Sequence, residues 1–254
     1  MMIYSYEDLA GMIDHSLLHP TMTDRELDEG CQLAARYRVV SVCIKPYYVR
    51  RAAALLEGTG VRVGTVVGFP HGGHTTAMKT AEARTLCDEG AVEIDMVVNI
   101  GKVLSGDWSF VEQDIRAVTE ISHAHGSLVK VIFENDYLPD DAMKVRLCEI
   151  TERSGGDFVK TSTGYGFVKG ADGTYSYRGA THHDLKLMRA SCSPRVHVTA
   201  AGGVRALDAF VAVRDLGVTR CGATTTAAML DEYRRRAGLP PIEPPAVPSH
   251  TPGY

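Results

Sequence analysis

Short β-branched runs alternate with longer helical runs along almost the whole chain, and this rhythm restricts the fold more than any other feature. A short helix over Glu7–Ile13 leads into a strand or turn at Asp14-His15-Ser16-Leu17-Leu18. Thr23-Asp24-Arg25-Glu26 fits a capping box, with Thr23 as N-cap and Glu26 three residues on, opening a helix to about Tyr37. Val39–Ile44 is a β-branched strand. The helix after Pro46 carries Val49, Ala53 and Leu56 on one face. The cycle then repeats: strand Val61–Phe69 and helix Thr76–Gly90; strand Ala91–Asn99 and helix Trp108–His125; strand Leu128–Glu134 and helix Pro139–Ser154; the strand around Lys160 and helix Thr181–Ala190. Strand Arg195–Ala201 with helix Ala206–Leu216, and strand Val218–Gly222 with helix Thr225–Arg236, complete the series. Strict alternation predicts an α/β protein with a parallel sheet and right-handed crossovers. Eight such units in 254 residues suit a closed (β/α)8 TIM barrel better than an open doubly wound sheet.

Two stretches depart from the rhythm. Gly166–Ala180 reads as a hairpin, with Phe167-Val168-Lys169 and Thr174–Tyr177 flanking Asp172-Gly173. The segment from Gly238 carries Pro240, Pro241, Pro244, Pro245, Pro248 and Pro252, which oppose both helix and sheet. The expected organisation is one barrel domain over residues 1–237 and a flexible Pro-rich tail over 238–254.

Composition excludes several function classes. The net charge is -4 with no long run of one sign, so nucleic acid is not an expected partner. No stretch approaches the roughly 18 apolar residues of a membrane helix. The N-terminal residues lack a basic and an apolar region, so no signal peptide is read and a cytoplasmic location is expected. The six cysteines form no CxxC pair and read as reduced, mostly buried small hydrophobes. His71 and His74, His123 and His125, and His182 and His183 are not spaced with nearby carboxylates as a metal site requires. No GxGxxG follows a strand, so no dinucleotide is indicated. Neither metal nor cofactor is expected.

Chemistry is suggested by Asp157-Phe158-Val159-Lys160-Thr161-Ser162-Thr163-Gly164, a buried strand with a lysine at its centre. Such a lysine either snorkels to the rim or pairs with a carboxylate, or is an amine whose pKa is lowered to make it a nucleophile for a carbonyl carbon. Side chains alternate faces along a strand. Alternation sends Glu93, Asp95 and Val97 inward, with Ile94, Met96 and Val98 towards the helices. It likewise sends Lys130, Ile132 and Glu134, then Lys160 and Ser162, then His197, Thr199 and Ala201 inward. One interior thus receives Asp95, Lys130 and Lys160, joined by Asp14 and Cys43. The plain alternative is an ion network that only fixes packing. On the chemical reading, Lys130 lowers the pKa of Lys160, while Asp95 holds Lys130 and moves protons. The Ala201-Gly202-Gly203-Val204-Arg205 and Gly222-Ala223-Thr224-Thr225 loops follow the last two strands, the usual phosphate site of such barrels.

These residues resemble the deoxyribose-phosphate aldolases. The likeness runs through Asp14–Leu18, Cys43-Ile44-Lys45-Pro46, Val67–Gly72, Glu93–Val97, Lys130–Glu134, Phe158–Gly164, Ala201–Arg205 and Gly222-Ala223-Thr224, and spans about residues 9–236. It implies a class I aldolase on a (β/α)8 barrel that joins acetaldehyde and glyceraldehyde 3-phosphate into 2-deoxyribose 5-phosphate and cleaves it in reverse, in carbohydrate and deoxyribonucleotide catabolism. By this resemblance Lys160 is the Schiff-base lysine and Asp95 the acid/base aspartate, with Lys130 beside them. Gly164, Gly202, Gly203, Arg205, Gly222 and Thr224 hold phosphate, with Asp14 and Cys43 nearby. The implied partners are a sugar phosphate and aldehydes, and the chain is expected as a homodimer or other homo-oligomer. One departure stands out: Thr199 occupies the place of the family's second lysine, which depresses the pKa of the Schiff-base lysine and joins the proton relay. His19 also stands where many members have lysine. The chain therefore reads as this aldolase working more slowly, as a Schiff-base enzyme for another carbonyl substrate, or as a sugar-phosphate binder without turnover. Some members carry a mobile tail with a terminal tyrosine near the active site. Tyr254 is either its counterpart or the end of an arm with no role.

Overall fold

The computed structural model describes residues 3–242, so the expectations for Tyr254 and for the tail from residue 243 onward lie outside the described residues. Eight parallel strands close a barrel. They are β1 (Ile13–Leu17), β2 (Ser41–Ile44), β3 (Arg62–Val67), β4 (Glu93–Val97), β5 (Leu128–Ile132), β6 (Phe158–Lys160), β9 (His197–Ala201) and β10 (Arg220–Ala223). Between β6 and β9 lies an antiparallel pair, β7 (Val168–Lys169) and β8 (Tyr175–Ser176). Helices α1 (Tyr6–Ala10), α2 (Asp24–Tyr37), α3 (Val49–Leu56), α4 (Thr76–Asp88), α5 (Ile100–Leu104), α6 (Trp108–Ala124), α7 (Asp141–Arg153), α8 (His182–Ala190), α9 (Leu207–Asp215) and α10 (Thr226–Ala237) surround or cap it.

Local chemistry accounts for these boundaries. The Thr23 hydroxyl accepts from the Glu26 N–H, and the Glu26 carboxylate accepts from the Thr23 N–H at 2.7 Å, closing the capping box. Helix α7 starts at Asp141 rather than Pro139, because Asp140 is the N-cap and accepts from the Ala142 N–H at 2.9 Å. Strand β3 stops short of Phe69 because Gly68 turns to φ 64°. Helix α1 stops at Ala10 because Ile13 already pairs with Cys221 in the barrel. Helix α5 escapes the sequence pattern: its five residues, capped by Asn99, are too few to show a period. In α3 the buried set is Val49, Ala52 and Leu56, one position from the expected Ala53.

The outward faces of the strands build the core. Ile94, Met96, Val129, Val131, Phe133, Val159, Val198 and Ala200 are all fully buried, the fate expected of strand positions covered by crossover helices. The inward faces carry charge, as alternation predicts. His197 is a correction: it lies at the foot of β9 and is exposed, with its ring stacked 5.1 Å from that of Phe158. Alternation assigns a face but not a depth, and the first inward position of a strand sits at the barrel's rim.

The histidine reading also needs correcting. His183 does meet a carboxylate, that of Asp141 at 2.6 Å, and with Asp141 and Asp184 it forms a group of metal-ligand type. The Lys144 ammonium already lies 2.6 Å from Asp184 and 3.2 Å from Asp141, so an ion pair fills this position. His123 similarly meets Asp157 at 2.9 Å. Tertiary contacts supply the carboxylates that sequence spacing does not.

A second buried ion pair ties α4 to α6. The Lys79 Nζ donates to Asp114 at 2.6 Å and to the Val97 carbonyl at 2.8 Å, with both side chains out of solvent. Lys79→Ala should destabilise the protein by roughly 3–5 kcal/mol in denaturant unfolding, since a buried carboxylate then loses its counter-charge. Lys79→Met with Asp114→Leu should recover most of that loss; a single variant as stable as the parent would show that Asp114 finds compensation elsewhere.

Candidate active site

The barrel interior holds six ionised side chains in one network. Lys130 Nζ lies 2.7 Å from Glu93, 2.9 Å from Asp95 and 3.3 Å from Asp14. Arg220 binds Asp14 and Glu93. Lys160 Nζ lies 2.6 Å from the second oxygen of Asp95. Ser41 donates to Asp14 at 2.7 Å, and the Cys43 thiol faces Asp95 at 3.8 Å. Beneath the network, Phe158 sits 5.9 Å from Lys130 and 5.5 Å from Arg220, an aromatic floor between two cations. The three cations and three carboxylates are all buried, so the cluster balances only while Lys160 carries its proton.

That balance sets the pKa values. Burial presses Lys160 downward and Lys130 adds to this, but the charge and hydrogen bond of Asp95, with Cys43, outweigh them; the net shift is upward. Lys160 is therefore raised, against the expectation that it is lowered. Lys130 does act in the predicted direction, but Asp95 is shared by both lysines. Burial opposes ionisation of Asp95, yet Lys130 and Lys160 overcome it and hold the carboxyl at about 2. Lys130 is itself raised: burial disfavours its charge, and Asp14, Asp95 and Glu93 prevail.

Lys160 opens upward into a cavity of about 450 Å³. Its walls include Cys43, Gly164, Gly202, Gly203, Arg205, Gly222 and Thr224, so the fold brings the expected phosphate residues to one chamber with the lysine. Gly164, Gly202 and Gly203 take φ of 91°, 87° and 88°, a left-handed backbone closed to most other residues. The Thr225 hydroxyl donates to the Arg205 carbonyl at 3.0 Å and ties the last two loops together. Asp14, Asp95 and Lys130 lie below, inside the barrel.

Thr199 pairs in register with Lys160 on the adjacent strand. Its hydroxyl is buried without a hydrogen-bond partner among the described residues, as are those of Ser162 and Tyr177.

Sequence reasoning missed Arg220, whose inward position on β10 follows from the same alternation that places Gly222. It also missed any part for Tyr177, which only the packing of the β7–β8 hairpin brings to the cavity. Glu134 was placed inward and is buried. Desolvation pushes its carboxyl up to about 7 although it accepts hydrogen bonds from the N–H and hydroxyl of Thr163.

Known proteins match this chain over nearly its full length. The sequence model of the DeoC/LacD family aldolases covers residues 9–227. A deoxyribose-phosphate aldolase of Rhodopirellula baltica is 54% identical over 94% of this chain and 95% of that protein. One from Clostridium perfringens is 41% identical over 89% of this chain and 95% of its own length. Among solved structures, the tetrameric deoxyribose phosphate aldolase of Aeropyrum pernix is 28% identical, with a TM-score of 0.80 over 91% of this chain and 92% of that one.

The role of Asp95 as the shared counter-charge can be tested directly. Asp95→Asn removes the main group that opposes burial and Lys130 at Lys160, so the pKa of Lys160 should fall by about 1–3 units. The pH midpoint of Lys160 modification by a small aldehyde, trapped with borohydride and mapped by mass spectrometry, should move down accordingly. A midpoint that stays put or rises would mean that another group holds the ammonium.

Proposed function

The chain belongs to the DeoC/LacD family of aldolases, and on that premise we propose that it is a class I aldolase reversibly cleaving 2-deoxy-D-ribose 5-phosphate to acetaldehyde and D-glyceraldehyde 3-phosphate. The carrying observation is that Lys160 opens onto the cavity that also gathers the loops after β6 and β9, with left-handed Gly164, Gly202 and Gly203, and the end of β10. An amine and an anion cradle in one chamber suit a phosphorylated aldehyde. The backbone N–H groups of Gly202, Gly203 and Gly222, with Arg205, hold the phosphate. The carbonyl carbon then reaches Lys160.

The chemistry follows from the residues. Lys160 must first give up its proton; its amine then adds to C1 of the open-chain sugar, and loss of water leaves an iminium. A proton leaves the C3 hydroxyl, the C2–C3 bond breaks, and its electron pair is drawn into the iminium. Glyceraldehyde 3-phosphate departs. The remaining enamine takes a proton at C2, and hydrolysis returns acetaldehyde and the free amine. Asp95, hydrogen-bonded to Lys160, is placed to exchange protons with the amine and its adducts. Lys130 keeps Asp95 ionised and fixed in place.

The three-to-three charge balance makes the first step the difficult one. Each pH unit below the Lys160 pKa reduces the free amine about tenfold. The upward shift of Lys160 favours a second reading, a sugar-phosphate binder without turnover. Borohydride reduction with deoxyribose 5-phosphate separates the two. On the aldolase reading the adduct maps to Lys160; label on Lys130, or on no lysine, sinks it.

Thr199 should be the handicap. Thr199→Lys adds a fourth cation against three carboxylates, so the neutral form of Lys160 gains. A fall of one to two units in the Lys160 pKa should raise cleavage of deoxyribose 5-phosphate roughly ten- to a hundredfold at neutral pH. The direction in pH follows: the parent gains rate as pH rises towards the raised pKa of Lys160, and the variant reaches its maximum at lower pH. Parent turnover near a typical enzyme rate of about 10 per second, unimproved by the lysine, would refute this account.

The proposal extends to a cytoplasmic homo-oligomer. It is supported by the tetrameric relative from A. pernix and by the finding that no helix among the described residues is long and apolar enough to cross a membrane.

A further inference from the structure

The strand–helix rhythm is interrupted once, between β6 and α8, and the interruption returns to the active-site cavity. Tyr177 follows β8 directly, and the backbone after it is tied down. Asp136 accepts the N–H groups of Arg178 and Gly179, each at 2.9 Å, and the Ala180 N–H donates to the Gly202 carbonyl at 3.0 Å. On its other side the Tyr177 ring packs 5.3 Å from that of Phe167, whose carbonyl accepts the Tyr137 hydroxyl at 3.1 Å. These contacts hold the Tyr177 hydroxyl directly over Gly202, where any side-chain carbon on that glycine would collide with it.

Tyr177 is part of the cavity wall, and its hydroxyl is shut off from bulk solvent with no hydrogen-bond partner among the described residues. Ser162 and Arg205 are near enough to favour the phenolate, but burial, with Glu134 and Asp136, outweighs them and keeps the group a neutral donor. An unpaired buried donor is costly, and an acceptor brought by a ligand removes that cost. A phosphate dianion offers only acceptors, and a hydrogen bond to a charged group is the stronger kind. Here the donor already stands over the glycine loop where the proposed function seats the phosphate.

We propose that Tyr177 donates its hydroxyl hydrogen to the phosphoryl group of the substrate, and that the β7–β8 hairpin thereby sets the preference for phosphorylated over unphosphorylated sugars. This rests on the proposed aldolase reading. It assigns the hairpin a specificity role in place of a merely structural one.

The test compares kcat/KM for 2-deoxyribose 5-phosphate and for unphosphorylated 2-deoxyribose in the parent and in Tyr177→Phe. The ring and its packing remain, so only the hydroxyl is removed. The ratio of the two values should fall about tenfold, chiefly through KM for the phosphorylated sugar, and inorganic phosphate should become a correspondingly weaker inhibitor. An unchanged ratio, including an equal loss on both sugars, overturns the proposal. If the parent cleaves neither sugar, the aldolase reading has failed, and calorimetric binding of inorganic phosphate decides the matter alone. Weaker binding by Tyr177→Phe then supports Tyr177 as a phosphate ligand, and equal binding overturns it.

Discussion

The carboxylate of Asp95 is shared by two lysines, 2.9 Å from Lys130 and 2.6 Å from Lys160, and the interior of the barrel depends on that sharing. Taking an ammonium out of water costs several kcal/mol, and the cost is offset only where a counter-charge and hydrogen bonds await it. Six charges enter this interior because each finds a partner: Lys160 on Asp95, Lys130 on three carboxylates, and Arg220 across Asp14 and Glu93. Branched apolar residues, the common filling of such barrels, would pack as well without that cost. A cluster of this type weakly favours stability and strongly favours a functional reason for being there.

The same balance explains why Thr199 carries such weight. The sequence resemblance places a lysine there, which would add a fourth cation beside Lys160. With three cations and three anions, the neutral amine leaves one carboxylate uncompensated, and Lys160 is driven to keep its proton. A nucleophile needs the opposite. Threonine fills the position with a hydroxyl that has no partner among the described residues, and it supplies no charge. Thr199 lies in register with Lys160 on the neighbouring strand and brings no charge to it.

Scaffold and site are separated along the barrel axis. The charged layers lie within the strands, where the backbone is held by ladders on both sides. The groups that would grip an anion lie in the loops above, where Gly164, Gly202 and Gly203 adopt conformations that the strands could not supply. The β7–β8 hairpin belongs to this upper tier. It adds nothing to the barrel, yet it reaches back over the Gly202 loop and brings Tyr177 into the wall.

Much of this was legible in the residues themselves. Eight alternations implied a closed barrel because each helix needs a sheet face to cover and each parallel strand needs a crossover. The period of two along Glu93–Val97 and Lys130–Glu134 put Asp95 and Lys130 inside, and the resemblance of the motifs pointed to Lys160 and the glycine loops. Sequence could not tell the sign of the Lys160 shift, because the shift depends on which of two opposed neighbours lies closer, and Asp95 and Lys130 stand equally plausibly in the pattern. Nor could it show His197 at the solvent-exposed foot, or Tyr177 over Gly202. Local periodicity determines which way a side chain points. How deep it lies, what charge it meets and which distant loop folds back onto it depend on distances between strands and loops far apart in the chain, and those exist only once the barrel has closed.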